Sequence, residues 1–155
     1  MTLLDSFSPG DTESASRGQL AHPMNIAHLK QLEKRLYQVG EKAYCFVGNG
    51  LSNQSFIEGP EGLIVIDTGE SIEEMEAALK AVRKVSKSPV AACFYTHFHY
   101  VSGTQALLDE GNLSGIPIYG HAGIPENIAR FGGEVAPRVT RGLVHQFGLK
   151  LPNEG

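Results

Sequence analysis

A continuous apolar run, Leu63-Ile64-Val65-Ile66, ending in Asp67, most constrains what this chain can fold into. A run without alternation implies a strand buried on both faces. The next segment is as definite. Ser71-Ile72-Glu73-Glu74 forms a capping box, with Ser71 as N-cap and Glu74 three residues on. The helix it opens is expected to reach about Lys87, before Pro89. Ile72, Met75, Leu79, Val82 and Val85 form its apolar stripe, and Glu76 and Lys80 have the spacing of a helical ion pair. Such a helix belongs on a sheet, and residues 89–95 supply another buried strand.

The segments on either side extend this pattern. Residues 35–39 alternate as a strand does, Gly40-Glu41-Lys42 turns, and 43–47 form a second strand. Gly48-Asn49-Gly50 breaks it; 55–58 follow as a strand, then the tight turn Gly59-Pro60-Glu61-Gly62. Downstream, a turn at 96–103 leads to a short helix near 104–110 and a strand at 116–119, whose Pro117 marks an end or an edge. From 124 to 148 the pattern is helical, interrupted at Gly132-Gly133 and at Pro137. Residues 1–23, rich in Ser, Gly, Asp and Pro, are expected to be a flexible leader to a domain over 24–155. His22 ends the leader without a motif. Ile26, Leu29 and Leu32 recur at helical spacing from Met24, with His28 as a surface residue. Strands, helix, strand, helix, strand, helix is an α/β (α+β) order.

With 155 residues the chain suits one domain. Its net charge of −4 argues against nucleic acid as the main partner, because phosphate binding needs a basic face. Arg130, Arg138, Arg141 and Lys150 gather late in the chain and read as a solvated helix face. Cys45 and Cys93 each lie in an apolar or aromatic run and are expected to be buried free thiols. No apolar run approaches the roughly 20 residues of a membrane span, and no signal peptide is visible, so the cytoplasm is the expected compartment.

The segment Thr96-His97-Phe98-His99 follows a buried strand. Two histidines two apart at a strand end can aim both imidazoles the same way, as a zinc half-site requires. His121, after the strand at 116–119, is a further candidate ligand; His145, in an expected helix, reads as a packing or surface residue.

An Ile-Asp-Thr-Gly turn after an apolar strand, a helix, and a strand ending in Thr-His-x-His together resemble the metallo-β-lactamase superfamily. Its motif is His-x-His-x-Asp-His. The first two histidines match His97 and His99, while Val101 and Ser102 stand where Asp and the last His would be. The resemblance is closer to the alkylsulfatases within that superfamily. It is carried by Tyr37-Gln38-Val39, Asn53-Gln54-Ser55-Phe56-Ile57-Glu58-Gly59, Gly62-Leu63-Ile64-Val65-Ile66-Asp67, Glu126-Asn127-Ile128 and Gln146-Phe147-Gly148-Leu149-Lys150-Leu151-Pro152.

The resemblance implies an αββα sandwich of two sheets face to face, of which this sequence supplies the first half. It implies zinc held by His97 and His99, with Asp67 orienting the site rather than binding metal, and a small-molecule sulfate ester as substrate. His121 is not a position the family uses. Valine has no ligand atom and a serine hydroxyl is a poor one, so a binuclear site is not expected. The family's other ligands lie beyond residue 155. A half-sandwich leaves one sheet face bare, which calls for a longer chain, a partner subunit or a second copy. The end at 149–155, without a helix cap or charged tail, fits a truncated product. A different reading is a non-catalytic interaction module, a pseudoenzyme that dimerises through that face; sedimentation separates the two.

Overall fold

The computed structural model describes residues 12–14, 18, 20–111 and 115–146. Residues 1–11 of the expected leader, the segment 147–155 with Lys150, and the side chain of His145 lie outside the described residues. The described residues fall into two compact units, one within 1–33 and one within 34–150.

In the first unit, β1 (Glu13–Ser14) pairs antiparallel with β2 (Leu20–Ala21), inside the stretch read as leader. Helix α1 (Pro23–Leu29) follows and runs into a 3-10 turn, Lys30–Leu32. His22 caps α1: its Nδ1 accepts from the Met24 N–H at 3.2 Å. Pro23, with no N–H to satisfy, suits the first helical position. Leu29 and Leu32 remain exposed.

The second unit is a six-stranded sheet in sequence order: β3 (Arg35–Gly40), β4 (Ala43–Val47), β5 (Gln54–Gly59), β6 (Gly62–Ile66), β7 (Val90–Phe94) and β8 (Ile118–Tyr119). The first four strands run antiparallel through short turns. Gly62 is required at its turn: φ is +141°, and an added Cβ would sit 2.2 Å from the Pro89 carbonyl oxygen. From β6 the pairing becomes parallel, because the crossover α2 (Ile72–Val82) returns the chain to the same end of the sheet. A second helix, α3 (Thr104–Gly111), connects β7 to β8. Then α4 (Ile124–Arg130), a π-helical stretch Phe131–Val135 and α5 (Ala136–Gln146) run on without a break. The interruption expected at Gly132-Gly133 takes the form of the π stretch, whereas the one expected at Pro137 is absent. The wider π turn absorbs the two glycines.

Ser71 caps α2 as its box predicts, its Oγ accepting from the Glu74 N–H at 3.2 Å. The Glu74 carboxylate reaches instead to the Glu70 N–H, at 2.9 Å. The helix stops at Val82 rather than near Lys87. There Arg83 folds over the turn, donating to the Ser88 carbonyl at 2.6 Å and to both Glu110 oxygens at 2.7 Å. Glu76 and Lys80 do not pair. Met75, Ala78, Leu79 and Val82 of α2 and Leu107 of α3 bury against Phe46, Phe56, Leu63 and Val65 of the sheet. Each large side chain so buried contributes about 1.5–3 kcal/mol relative to exposure. Cys93 joins this core, and burial, with the Asp67 charge second, pushes its thiol up to about 12. Cys45, by contrast, is half-buried.

The opposite face of the sheet stays open. Leu63 and Val65 are fully buried, but Ile64 and Ile66, which alternate with them, are only half-buried, so β6 is not covered on both sides. On that face Ile57 lies opposite Ile64, and Ile66 opposite Phe94. Phe94 stacks on Tyr119 with ring centroids 4.7 Å apart. These two are 41% and 52% exposed. No helix among the described residues is long and apolar enough to cross a membrane.

Glu58 ties β5 to the turn after α2. It accepts from Ser86 Oγ at 3.0 Å and from Ser88 Oγ. The Ser88 hydroxyl foremost, then Ser86, holds its carboxyl below the ordinary value of 4.5. Folding therefore favours the charged form. That stabilisation is present above the unfolded value and is lost as pH falls through the lower folded one. Between about pH 6 and about pH 3 the melting temperature should fall further for the wild type than for Glu58→Gln. Parallel curves would show that Glu58 is not part of the acid response.

Candidate metal centre

The loop after β7 is anchored to the loop after β6. Asp67 caps the end of β6 with φ at 60°, a left-handed conformation that Asp tolerates better than most residues. Its N–H donates to the Phe94 carbonyl at 2.9 Å. Its buried carboxylate accepts from the Thr96 N–H at 2.9 Å and from Thr96 Oγ1 at 2.7 Å. Two further backbone bonds fasten the loops together: Thr68 N–H to the Tyr100 carbonyl at 2.8 Å, and Ser102 N–H to the Gly69 carbonyl at 3.2 Å. Beneath them Thr104 Oγ1 donates to the Val101 carbonyl at 2.7 Å and bonds to the Tyr95 hydroxyl.

Thr96 connects Asp67 to the first histidine. Its Oγ1 lies 2.8 Å from His97 Nδ1. A threonine hydroxyl has one proton; given to Asp67, it leaves the oxygen to accept from Nδ1–H. His97 then presents an unprotonated Nε2, the lone pair a metal needs. His99 lies in the 3-10 turn Phe98–Tyr100. The two imidazoles have centroids 5.1 Å apart with planes at 66°. Two imidazoles on one tetrahedral zinc have centroids roughly 5 Å apart, so the spacing of the rings is compatible with a shared ion.

The second metal position does not fit. Val101 is half-buried and Ser102 exposed, and neither brings a carboxylate or imidazole. His121 is not drawn into the centre: its Nδ1 accepts from the Gly123 N–H at 3.0 Å, ahead of α4. Among the described residues no group of three His, Cys, Asp or Glu is close enough to hold an ion. Beside His99 opens a cleft of about 250 Å³, lined by Glu70, Phe98, Val101, Ser102, Ile128 and Phe131. Phe131 meets the His99 ring edge-on at 5.4 Å. Its place is not readable from the sequence, since α4 and the π turn bring it in from more than thirty residues away. Thr96 carries a signal in its position just before His97.

A sequence model of the Metallo-beta-lactamase superfamily matches residues 47–147. The chain belongs to that superfamily. A linear primary-alkylsulfatase from a Pseudomonas strain is 36% identical over 102 residues, covering 63% of this chain and 19% of that relative. An (R)-specific secondary-alkylsulfatase, also from Pseudomonas, is 27% identical over 155 residues, covering 97% of this chain and 22% of that relative. The chain thus spans about a fifth of the length of these curated relatives. A solved double mutant of a sec-alkyl sulfatase aligns with a TM-score of 0.65 at 22% identity, over 92% of this chain and 27% of that one. That likeness shows the fold: one sheet with helices on one face, about the first half of the metallo-β-lactamase architecture.

Proposed function

We propose that this chain carries part of the zinc centre of a hydrolase that cleaves alkyl sulfate esters. His97 and His99 hold one zinc ion, and Asp67, acting through Thr96, sets the tautomer and direction of His97. The observation that carries the reading is the 5.1 Å spacing of the two imidazoles at the end of the Asp67–Thr96 relay. The alkylsulfatase relatives support the substrate class. A bound zinc supplies Lewis-acid chemistry toward a sulfate oxygen. The chain's own contribution is to orient the ligands and to offer an apolar wall, Phe98, Val101, Ile128 and Phe131, for a hydrocarbon group. A tetrahedral catalytic zinc takes three protein ligands and an open position. The remaining ligand comes from outside the described pair, from a longer chain or from another copy.

Zinc per chain in the purified protein tests this, beside a His97→Ala/His99→Ala control. About one zinc per chain, absent from the control, is the expected result. The open sheet face and the Val101 and Ser102 substitutions favour a second reading, a non-catalytic module that self-associates through Ile57, Phe94 and Tyr119. No zinc in either protein would reject the metal centre and leave this second reading.

A further inference from the structure

The cleft beside His99 has a lining that an anionic head alone does not explain. Among the described residues no lysine or arginine lines it, and Glu70 is its one carboxylate. The Glu70 backbone is fixed, its N–H donating to Glu74 Oε2 at 2.9 Å. The Glu70 carboxylate itself has no hydrogen-bond or ion-pair partner among the described residues. Three rings share the space with it. Phe98 and Phe131 have centroids 5.9 Å apart with planes at 55°, and Phe98 lies 4.0 Å from the His99 ring. Val101 and Ser102, which stand where the family motif has Asp and His, line the same cleft. They offer a metal ion no carboxylate and no imidazole, so the Glu70 charge is left unanswered. Ring faces are the negative poles of aromatic quadrupoles. Aromatic rings with a carboxylate beside them therefore suit an organic ammonium ion, which needs no donor atoms.

We propose that this cleft binds a quaternary ammonium group. Its methyl groups lie on Phe98, Ile128 and Phe131, and Glu70 answers its charge. The cleft of about 250 Å³ lies near the lower end of small-molecule sites, enough for a trimethylammonium head on a short chain. Binding needs only the cleft, so the inference goes beyond the zinc reading and does not rest on it. Where that reading also holds, the ester cleaved is the sulfate of an aminoalcohol.

Calorimetric titration of the whole, zinc-free chain with choline tests the proposal, beside dimethylbutanol, the uncharged isostere with carbon in place of nitrogen. Saturable binding of about one choline per chain is expected, roughly fivefold or more tighter than the isostere. Glu70→Gln should weaken it by about five- to tenfold, and Phe131→Leu by about two- to fivefold. Glu70 is exposed, so Glu70→Gln should melt with the parent; if it does not, Phe131→Leu is read in its place. His97 does not line the cleft, so His97→Ala should lose zinc and keep choline. No saturable choline binding, equal binding of the isostere, or undiminished binding in Glu70→Gln would overturn the proposal. Zinc bound without choline sinks this inference and leaves the metal centre; choline bound without zinc does the reverse.

Discussion

Replacing Gly103 with alanine should destabilise the second unit by about 3 kcal/mol or more. The added Cβ would sit 2.0 Å from the Thr68 carbonyl oxygen and 2.7 Å from both the Ser71 carbonyl oxygen and Met75 Cβ. Two of these neighbours are backbone and cannot rotate away. Relief requires prising the loop after β7 from the loop after β6, which breaks the Ser102–Gly69 and Thr68–Tyr100 bonds. Those bonds also fix the turn that carries His99, so zinc retention should fall with stability. Urea unfolding gives the first reading and metal content the second. A midpoint unchanged from the parent would mean the two loops are not clamped as described.

Thr96→Val should weaken zinc binding by about ten- to a hundredfold, the usual effect of removing a group that orients a metal ligand. Valine keeps the shape of threonine and deletes only the hydroxyl between Asp67 Oδ2 and His97 Nδ1. His97 then loses the acceptor that holds its proton on Nδ1, and the tautomer with a free Nε2 is no longer favoured. Asp67 keeps the Thr96 N–H but loses one hydrogen bond at a buried oxygen, at a cost of about 1–3 kcal/mol. Stability alone therefore does not decide the case. Competition with a chelator does, with Thr96→Ser as the rescue: zinc affinity should return in the serine variant. Parent-like affinity in Thr96→Val would remove Thr96 as a positioning residue.

The strands from β3 to β7 are legible in the sequence to within about a residue, because turns of Gly, Pro, Asn and charged residues punctuate short apolar runs. The capping box places the start of α2 for the same local reason. Its end is not legible, since a long-range clamp sets it: Arg83 reaching Glu110 across to α3. Coverage of the sheet is not legible either. Leu63-Ile64-Val65-Ile66 reads as buried on both faces, yet a continuous apolar run records only that both faces avoid water somewhere, not that this chain provides both covers. At the site, the histidines and Asp67 stand out by residue type. The hydroxyl that links them depends on where a loop folds back, and Phe131 reaches His99 only through the path of α4. The basic residues late in the chain draw attention first, and Arg130 proves to be an exposed partner of Glu134 at 3.7 Å.

The open face with its Phe94–Tyr119 stack has a calorimetric consequence. Water held against apolar surface raises heat capacity, and covering that surface lowers it in proportion to area. Whatever comes to lie on Ile57, Ile64, Ile66, Phe94 and Tyr119, its arrival leaves a negative heat-capacity change. The size of that change measures how much of the face is closed, before the covering partner has been identified.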